Sequence, residues 1–408
     1  MRRFLALALA VVLWALASTT QAFAATHWVN DDAATSAPPG TSCERPGYQD
    51  IQPAVDAAAA GDTINVCPGD YPEQVVVASP TKSNLLIRSV VPLAARIQAP
   101  AVMEIVHGDL VRIDDGARNV TLRSFVISGP LPDTLFCAVQ LRSGVRVKGG
   151  ASANLTGNVV TEIRSASPAL RGCQNGFAIA IGRRAEGQVG QATLLANRLD
   201  RYQKGGVYVD NAGSRATIRG NLVQGEGPGD VIAQNGIQVS RQASALVRDN
   251  VVREHAYFPP ALPCIPFASC VTATGIIVFE VNGSVEIDRN DLRRNQEGVG
   301  IYTATGNTVS DNRIIGGIQP SEIPGSSLGD GIFADSDTAG NRIIGNFLRD
   351  NVEHDCHDDS VGPNDPPALV ANVWRDNDGR TENRPGLCTD DRDDDDDDED
   401  DEDDEDDD

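Results

Sequence analysis

Two short units recur along this chain, out of phase with each other, and together they leave few folds open. One is a Gly followed by alternating apolar residues, at Gly176, Gly206, Gly236, Gly275, Gly300 and Gly331. The other is an Asn followed by an apolar pair or near-pair, at Asn119, Asn158, Asn197, Asn221, Asn250, Asn290, Asn312, Asn341 and Asn346. Gly176, Gly206 and Gly236 are each 30 residues apart, Asn197 to Asn221 is 24 and Asn221 to Asn250 is 29. A short β-rich repeat of this length, with no helix between its strands, predicts an all-β solenoid. The chain must turn sharply every few residues, and Gly and Asn tolerate the left-handed backbone such turns require. When coils stack, their Asn amides align into a ladder along the axis. Leucine-rich repeats and propellers would show Leu at fixed offsets or a longer period, and neither is present.

A second row places a Gln two residues before a Gly, at Gln174, Gln203, Gln234 and Gln296. It reads as a structural stack at a turn. The ends of a solenoid need covers. Residues 50–60 predict an N-terminal capping helix: Asp50 as cap, Ile51, Ala54, Val55 and Ala58 on one face, Gly61 as the stop. Residues 352–389 predict the C-terminal cap. Residues 259–270 lengthen one coil and predict a projecting loop. At roughly 27 residues per coil, the span 61–352 gives ten or eleven coils and a rod of about 50 Å.

Charge must be divided before it is used. The 408 residues carry a formal −24, but residues 390–408 hold 18 acidic residues and Arg392, so that tail accounts for −17. Such a run repels itself and predicts a disordered Asp/Glu-rich tail. Residues 25–389 carry −9, with Lys only at Lys82, Lys148 and Lys204. That body argues against nucleic-acid binding, which needs clustered cations. Residues 1–24 read as a signal peptide: Arg2 and Arg3, an apolar run from Phe4 to Leu16, and Ala22-Phe-Ala24 before the cut. No later segment predicts a membrane span. Eight Cys in an exported chain predict disulfides, paired between sequence neighbours as Cys43–Cys67, Cys137–Cys173, Cys264–Cys270 and Cys356–Cys388.

The opening carries a resemblance: Trp28-Val-Asn-Asp31, Tyr48-Gln-Asp-Ile51-Gln52, Gly61-Asp-Thr-Ile64, Val66-Cys-Pro-Gly69 and Tyr71-Pro-Glu73. With the repeats, it resembles the right-handed parallel β-helix proteins of the pectin-lyase-like superfamily, and more closely their exported bacterial β-helix-repeat members, over residues 26–389. The first coil is similar to that of pectin methylesterases, where a helix precedes an apolar strand and a Gly-x-Tyr-x-Glu turn. The resemblance implies a single-stranded right-handed parallel β-helix. The catalytic signatures are missing: the Asp-x-Ile-Phe-Gly and Gly-Arg-Pro-Trp segments of pectin methylesterases, the Gly-His-Gly and Arg-Ile-Lys of polygalacturonases, and the Asp-Pro-His of alginate epimerases.

The same resemblance implies sugar binding along the outside of one sheet. Aligning the Gly-led strands gives an inward row, Ile179, Val209, Val239, Val278 and Ala334. It also gives two outward columns. The first is Ala178, Tyr208, Gln238, Ile277, Tyr302, Phe333; the second is Ala180, Asp210, Ser240, Phe279, Ala304, Asp335. Tyr208, Tyr302 and Phe333 offer faces for sugar rings, with Lys204 near a strand end. Asp210, Glu280 and Asp335 offer carboxylates, and coils one or two apart give the separation a glycosidase needs. A lyase would use carboxylates to hold calcium. His354, Asp355, His357 and Asp358 form the densest polar cluster and a candidate metal site. The plain alternative is that these residues solvate a sheet face and a terminal cap. The resulting expectation is a secreted, monomeric β-helix protein that binds an extracellular polysaccharide, with lyase or glycoside hydrolase activity as its enzymatic form. The other reading is a non-catalytic extracellular scaffold.

Overall fold

The computed structural model describes residues 24–104, 108–133, 137, 141–258, 271–318, 329–362 and 370–388. The expected signal peptide as far as Phe23, the expected Cys264–Cys270 pair and the acidic tail lie outside them. The chain winds through three parallel sheets in turn. Sheet I has twelve strands, from Thr26–Val29 to Val373–Arg375; sheet II has ten, from Gly69–Pro72 to Phe347–Arg349; sheet III has ten, from Val75–Ala78 to Cys356–Asp358. Each strand inside a sheet pairs with its counterpart one coil earlier and one coil later, so residues some 22–40 apart in sequence are vertical neighbours. Sheets I and III continue beyond residue 352, so strands, and not only a cap, occupy part of residues 352–389.

The turn from sheet I to sheet II explains the Asn repeat. It is two residues long: one in the left-handed region, then an Asn. The first residue has a φ near +50 to +67° at Gly157, Ala196, Gly220, Asp249, Arg289, Asp311, Gly345 and Asp376. The following Asn158, Asn197, Asn221, Asn250, Asn290, Asn312, Asn346 and Asn377 are buried in one column. From Asn197 on, each Oδ1 accepts both the backbone N–H and the side-chain amide of the Asn one coil earlier, while Asn158 Oδ1 accepts from Phe125 N; at Asn250 the distances to Asn221 are 2.9 and 3.0 Å. Each amide also donates to a carbonyl of the previous coil, as Asn250 Nδ2 does to Ile218 O at 2.9 Å. Buried polar groups in this turn are thereby satisfied, which a buried turn requires. Asn119 and Asn341 leave this column. Asn119 is exposed and stacks between Asn84 and Asn154, and Asn341 lies in a second buried ladder with Asn307 and Asn372 at the turn out of sheet III. Their apolar followers imitate the motif because strands follow both turns.

The Gly repeat marks where sheet III strands pass closest to sheet II. Gly144, Gly206, Gly236, Gly275, Gly298 and Gly331 share one level with Ala178. A Cβ on Gly236 would stand 2.4 Å from Gly275 O and 2.6 Å from Val252 Cγ1. The sequence alignment on Gly176 and Gly300 is therefore out of step by two residues at both places, the true partners being Ala178 and Gly298. The core is the stacked Val, Ile and Leu of the three inner faces.

The N-terminal cover is the helix α1, Ile51–Ala57, with Ile51, Ala54 and Val55 buried. Asp50 makes no capping hydrogen bond. Glu73, from the turn after Tyr71, does this instead, accepting from Ile51 N at 2.6 Å and Gln52 N at 2.8 Å. The helix also ends before Gly61, at Ala58, whose N–H bonds Ala54 O. Cys43–Cys67, Cys137–Cys173 and Cys356–Cys388 are bonded as expected. Gln203 and Gln234 bridge coils: Gln203 accepts from Ser165 N, and Gln234 donates to Tyr202 O. Gln174 is exposed and stands outside this row.

Candidate functional site

Apart from residues 359–372 between the last strands of sheets III and I, the coils spend their extra length in one place. The turns between sheets I and II stay near two residues, whereas connections from sheet II to sheet III reach ten or more at 99–108, 129–142, 162–176, 258–273 and 316–331. All are rooted along one edge of sheet III, so the outward face of that sheet is the one flanked by lengthened segments, where functional groups concentrate on a rigid scaffold.

Register fixes what this face displays. One outward column reads Arg112, Arg146, Ala180, Tyr208, Gln238, Ile277, Gly300, Phe333 and His357. The next contains Asp210, Ser240, Phe279 and Tyr302. The two-residue slip corrects the sequence columns. Ala178 gives way to Ala180, Tyr302 moves beside Phe279, and Gly300 takes its place. Ile179 pairs with Val207, and Ala304 is core rather than outward.

Two of the three aromatic candidates meet, and Tyr208 stands apart, four coils from Phe333. Tyr302 and Phe333 have ring centroids 5.4 Å apart, Phe333 meets His357 edge-on at 5.0 Å, and Tyr208 packs on Phe177 at 4.9 Å. Two carboxylate candidates are committed to cations. Asp210 is buried and accepts from Arg184 N at 2.7 Å, Ser240 Oγ at 2.7 Å and Arg241 Nη1 at 3.1 Å. Glu280 faces Arg184 at 3.2 Å and Arg241 at 3.9 Å. Asp335 lies further along the rod, accepting from Thr303 N and Asp337 N; burial raises its carboxyl above the ordinary range. The three carboxylates thus form two separate groups. Lys204 donates to Ala233 O at 2.6 Å, and burial pulls its ammonium down to about 8.

Sequence reasoning passed over Glu297. Gly300 interrupts the outward column between Ile277 and Phe333, and a Cβ there would sit 1.9 Å from Glu297 Oε1. The carboxyl fills that gap. Its Oε2 accepts from Tyr302 Oη at 2.6 Å and its Oε1 from Thr274 Oγ1 at 3.0 Å. Burial, reinforced by the Asp330 charge and opposed by those hydrogen bonds and by His357, pushes the Glu297 carboxyl up to about 7. The only available sequence signal was a Gly where an outward side chain was due.

The metal candidates are regrouped. In the strand Cys356–Asp358, alternate residues face opposite ways, so His357 looks outward while Asp358 turns to the end wall. There Asp358 accepts from Trp374 Nε1 at 2.6 Å and Asn372 Nδ2 at 3.0 Å. Asp355 is held by Asn351 Nδ2 and Arg380 N. Neither joins the histidines. Asp330 does: with His354 and His357 it places three potential ligand atoms within 4.8 Å of one another. Burial lowers His357, but Asp330 and Asp359 outweigh it and lift the imidazole to about 10.

A rival surface lies over sheet I, a shallow hollow lined by Arg215, Thr217, Ser244, Leu246, Glu286 and Thr308. It has no aromatic side chain.

Residues 180–360 match the family described as right handed beta helix region. Among solved structures, a complex of XylC with xylose superposes with a TM-score of 0.53 at 11% identity, covering 79% of this chain and 68% of that one. The periplasmic alginate epimerase AlgG gives 0.40 at 11%, covering 78% and 70%. Pectate lyase Pel9A gives 0.40 at 9%, covering 90% and 82%. A search of curated protein sequences finds no match. At 11% identity the likeness to XylC is one of fold. Among the described residues no helix is long and apolar enough to cross a membrane.

Proposed function

Taking the chain as a right-handed parallel β-helix of pectin-lyase-like fold, we propose that it binds an extracellular polysaccharide along the outward face of sheet III. The observation that carries this reading is the run of Tyr302, Phe333 and Glu297 on that face. Two packed aromatic rings stand beside a carboxyl that is largely protonated below pH 7. Aromatic faces supply the apolar contact, and the buried Glu297 fixes the Tyr302 hydroxyl beside them. The column advances about 4.8 Å per coil, so an extended polymer can engage several coils at once. The three disulfides and the N-terminal signal sequence support an exported protein.

Cleavage at the same place is the second reading, favoured by Glu297. A carboxyl raised by burial is the form a general acid takes. In this reading Tyr302 orients Glu297, and Phe333 holds the ring above it.

A polysaccharide panel, scored for binding and for product with and without EDTA, tests both readings. Binding to at least one polymer, weakened tenfold or more in Phe333→Ala, is expected. Product lost in Glu297→Gln while binding persists would establish cleavage. No binding to any neutral or acidic polymer would leave the scaffold reading.

A further inference from the structure

Three polar atoms in the described residues point at one another and have no hydrogen-bond partner: Asp330 Oδ2, His354 Nδ1 and His357 Nδ1. We propose that these three residues bind a divalent transition-metal ion of the zinc class, at the C-terminal end of the sheet III face. An orphaned buried polar atom is destabilising, and three in one cluster need an explanation. The remaining atoms of the group are mostly occupied. Asp330 Oδ1 accepts from His354 N at 3.1 Å, which leaves Oδ2 turned inward. His357 Nε2 meets Asp359 Oδ1 at 3.0 Å, which leaves Nδ1 turned inward. A carboxylate behind a histidine is how proteins orient and strengthen an imidazole ligand.

The contacts inside the group are poor as ion pairs. His357 Nδ1 stands 3.1 Å from Asp330 Oδ2 but off the line a hydrogen bond needs, and His354 Nδ1 is 3.5 Å from Asp330 Oδ1. The two imidazole rings have centroids 5.0 Å apart, and the three candidate ligand atoms lie within 4.8 Å of one another, close enough to share one ion.

Chemistry decides which ion fits. Two imidazoles and one carboxylate suit zinc and its neighbours, whereas calcium takes six to eight oxygens. Calcium, which the lyase reading would place on outward carboxylates, does not suit these donors. Asp330 and His357 are buried, while the His354 side chain is 27% exposed, so the site opens on one side. Three protein ligands and an open position are the arrangement of an exchangeable or catalytic ion rather than a closed structural one. His357 gives up its Nδ1 proton on binding. The proposal does not depend on whether the face binds sugar.

The test is zinc titration calorimetry on the untagged, chelator-stripped full chain, in excess magnesium and calcium so that the acidic tail is already occupied. One site of submicromolar dissociation constant is expected. His354→Gln, at the most exposed ligand, is expected to weaken it at least 100-fold while keeping the melting temperature of the metal-free chain. Asp330→Asn should do the same, and cobalt should give visible ligand-field absorption in the wild type alone. Equal zinc affinity in wild type and His354→Gln would overturn the proposal, as would a wild type without a stoichiometric site. If Asp330→Asn fails to fold, His354→Gln and the cobalt spectrum still decide.

Discussion

Glu297→Gln isolates the cost of keeping a carboxyl on the sheet III face. A carboxyl raised in the native state holds its proton more tightly there than in the unfolded chain. Stability is therefore greatest at low pH and falls as pH rises from the ordinary 4.5 through the native value of about 7. That gap, at about 1.36 kcal/mol per pH unit, is worth about 3.4 kcal/mol in full. Of this, about 2.5 kcal/mol falls between pH 5 and pH 8. Gln is nearly isosteric and does not titrate. Its carbonyl can still accept from Tyr302 Oη, and its amide can donate to Thr274 Oγ1, whose distances to Glu297 are 2.6 and 3.0 Å. Urea titrations of both proteins at pH 5, 6.5 and 8 give the difference, in which all other titrating groups cancel. The variant is expected within about 1 kcal/mol of wild type at pH 5 and more stable by about 2–3 kcal/mol at pH 8. A difference that stays constant over that range would refute the account of Glu297 as a carboxyl forced towards neutrality by burial.

Other consequences concern the scaffold. Asn250→Ala strips partners from Asn221 N–H, the Asn221 amide, Ile218 O and Asn290 Oδ1; it should cost about 3–5 kcal/mol in urea titration. The exposed Asn119→Ala should cost less than about 1 kcal/mol. Glu73→Ala leaves Ile51 N and Gln52 N uncapped and should cost about 1–2 kcal/mol, with hydrogen exchange accelerated first in α1. Gly236→Val drives a side chain into Gly275 O and Val252; it should abolish soluble expression or cost more than about 3 kcal/mol, where Gln238→Val on the outer face should not.

The solenoid was legible because its turn leaves chemistry little choice. One left-handed residue followed by a buried amide is written into the sequence at Asn158 through Asn377, and only the look-alikes Asn119 and Asn341 misled. Registration was harder to read. The close approach of sheets II and III needs a small residue, but Ala178 meets that need as Gly206 does, while Gly176 and Gly300 are glycines for other reasons. Gly176 has a φ of +83° and no room for a Cβ beside Gln203, and Gly300 makes room for Glu297. A slip of two residues keeps inward positions inward, so apolar alternation could not reveal it.

The site was less legible than the fold. Asp210 and Glu280 looked like free carboxylates because nothing in the sequence places Arg184 and Arg241 against them. Asp330 was not among the candidates, because it is 24 positions from His354 in sequence although one coil away in space. His354, His357, Asp355 and Asp358 formed a dense run, but a strand sends neighbouring residues to opposite sides, so density along the chain was not density at a site.

The claim that sugar lies on the outside of sheet III is open to direct inspection. A crystal structure of the chain with an oligosaccharide from whichever polymer it binds should show the sugar over Tyr302 and Phe333, with a hydroxyl or glycosidic oxygen near Glu297. Sugar seated in the Thr217 and Thr308 hollow of sheet I, with the sheet III face bare, would contradict it.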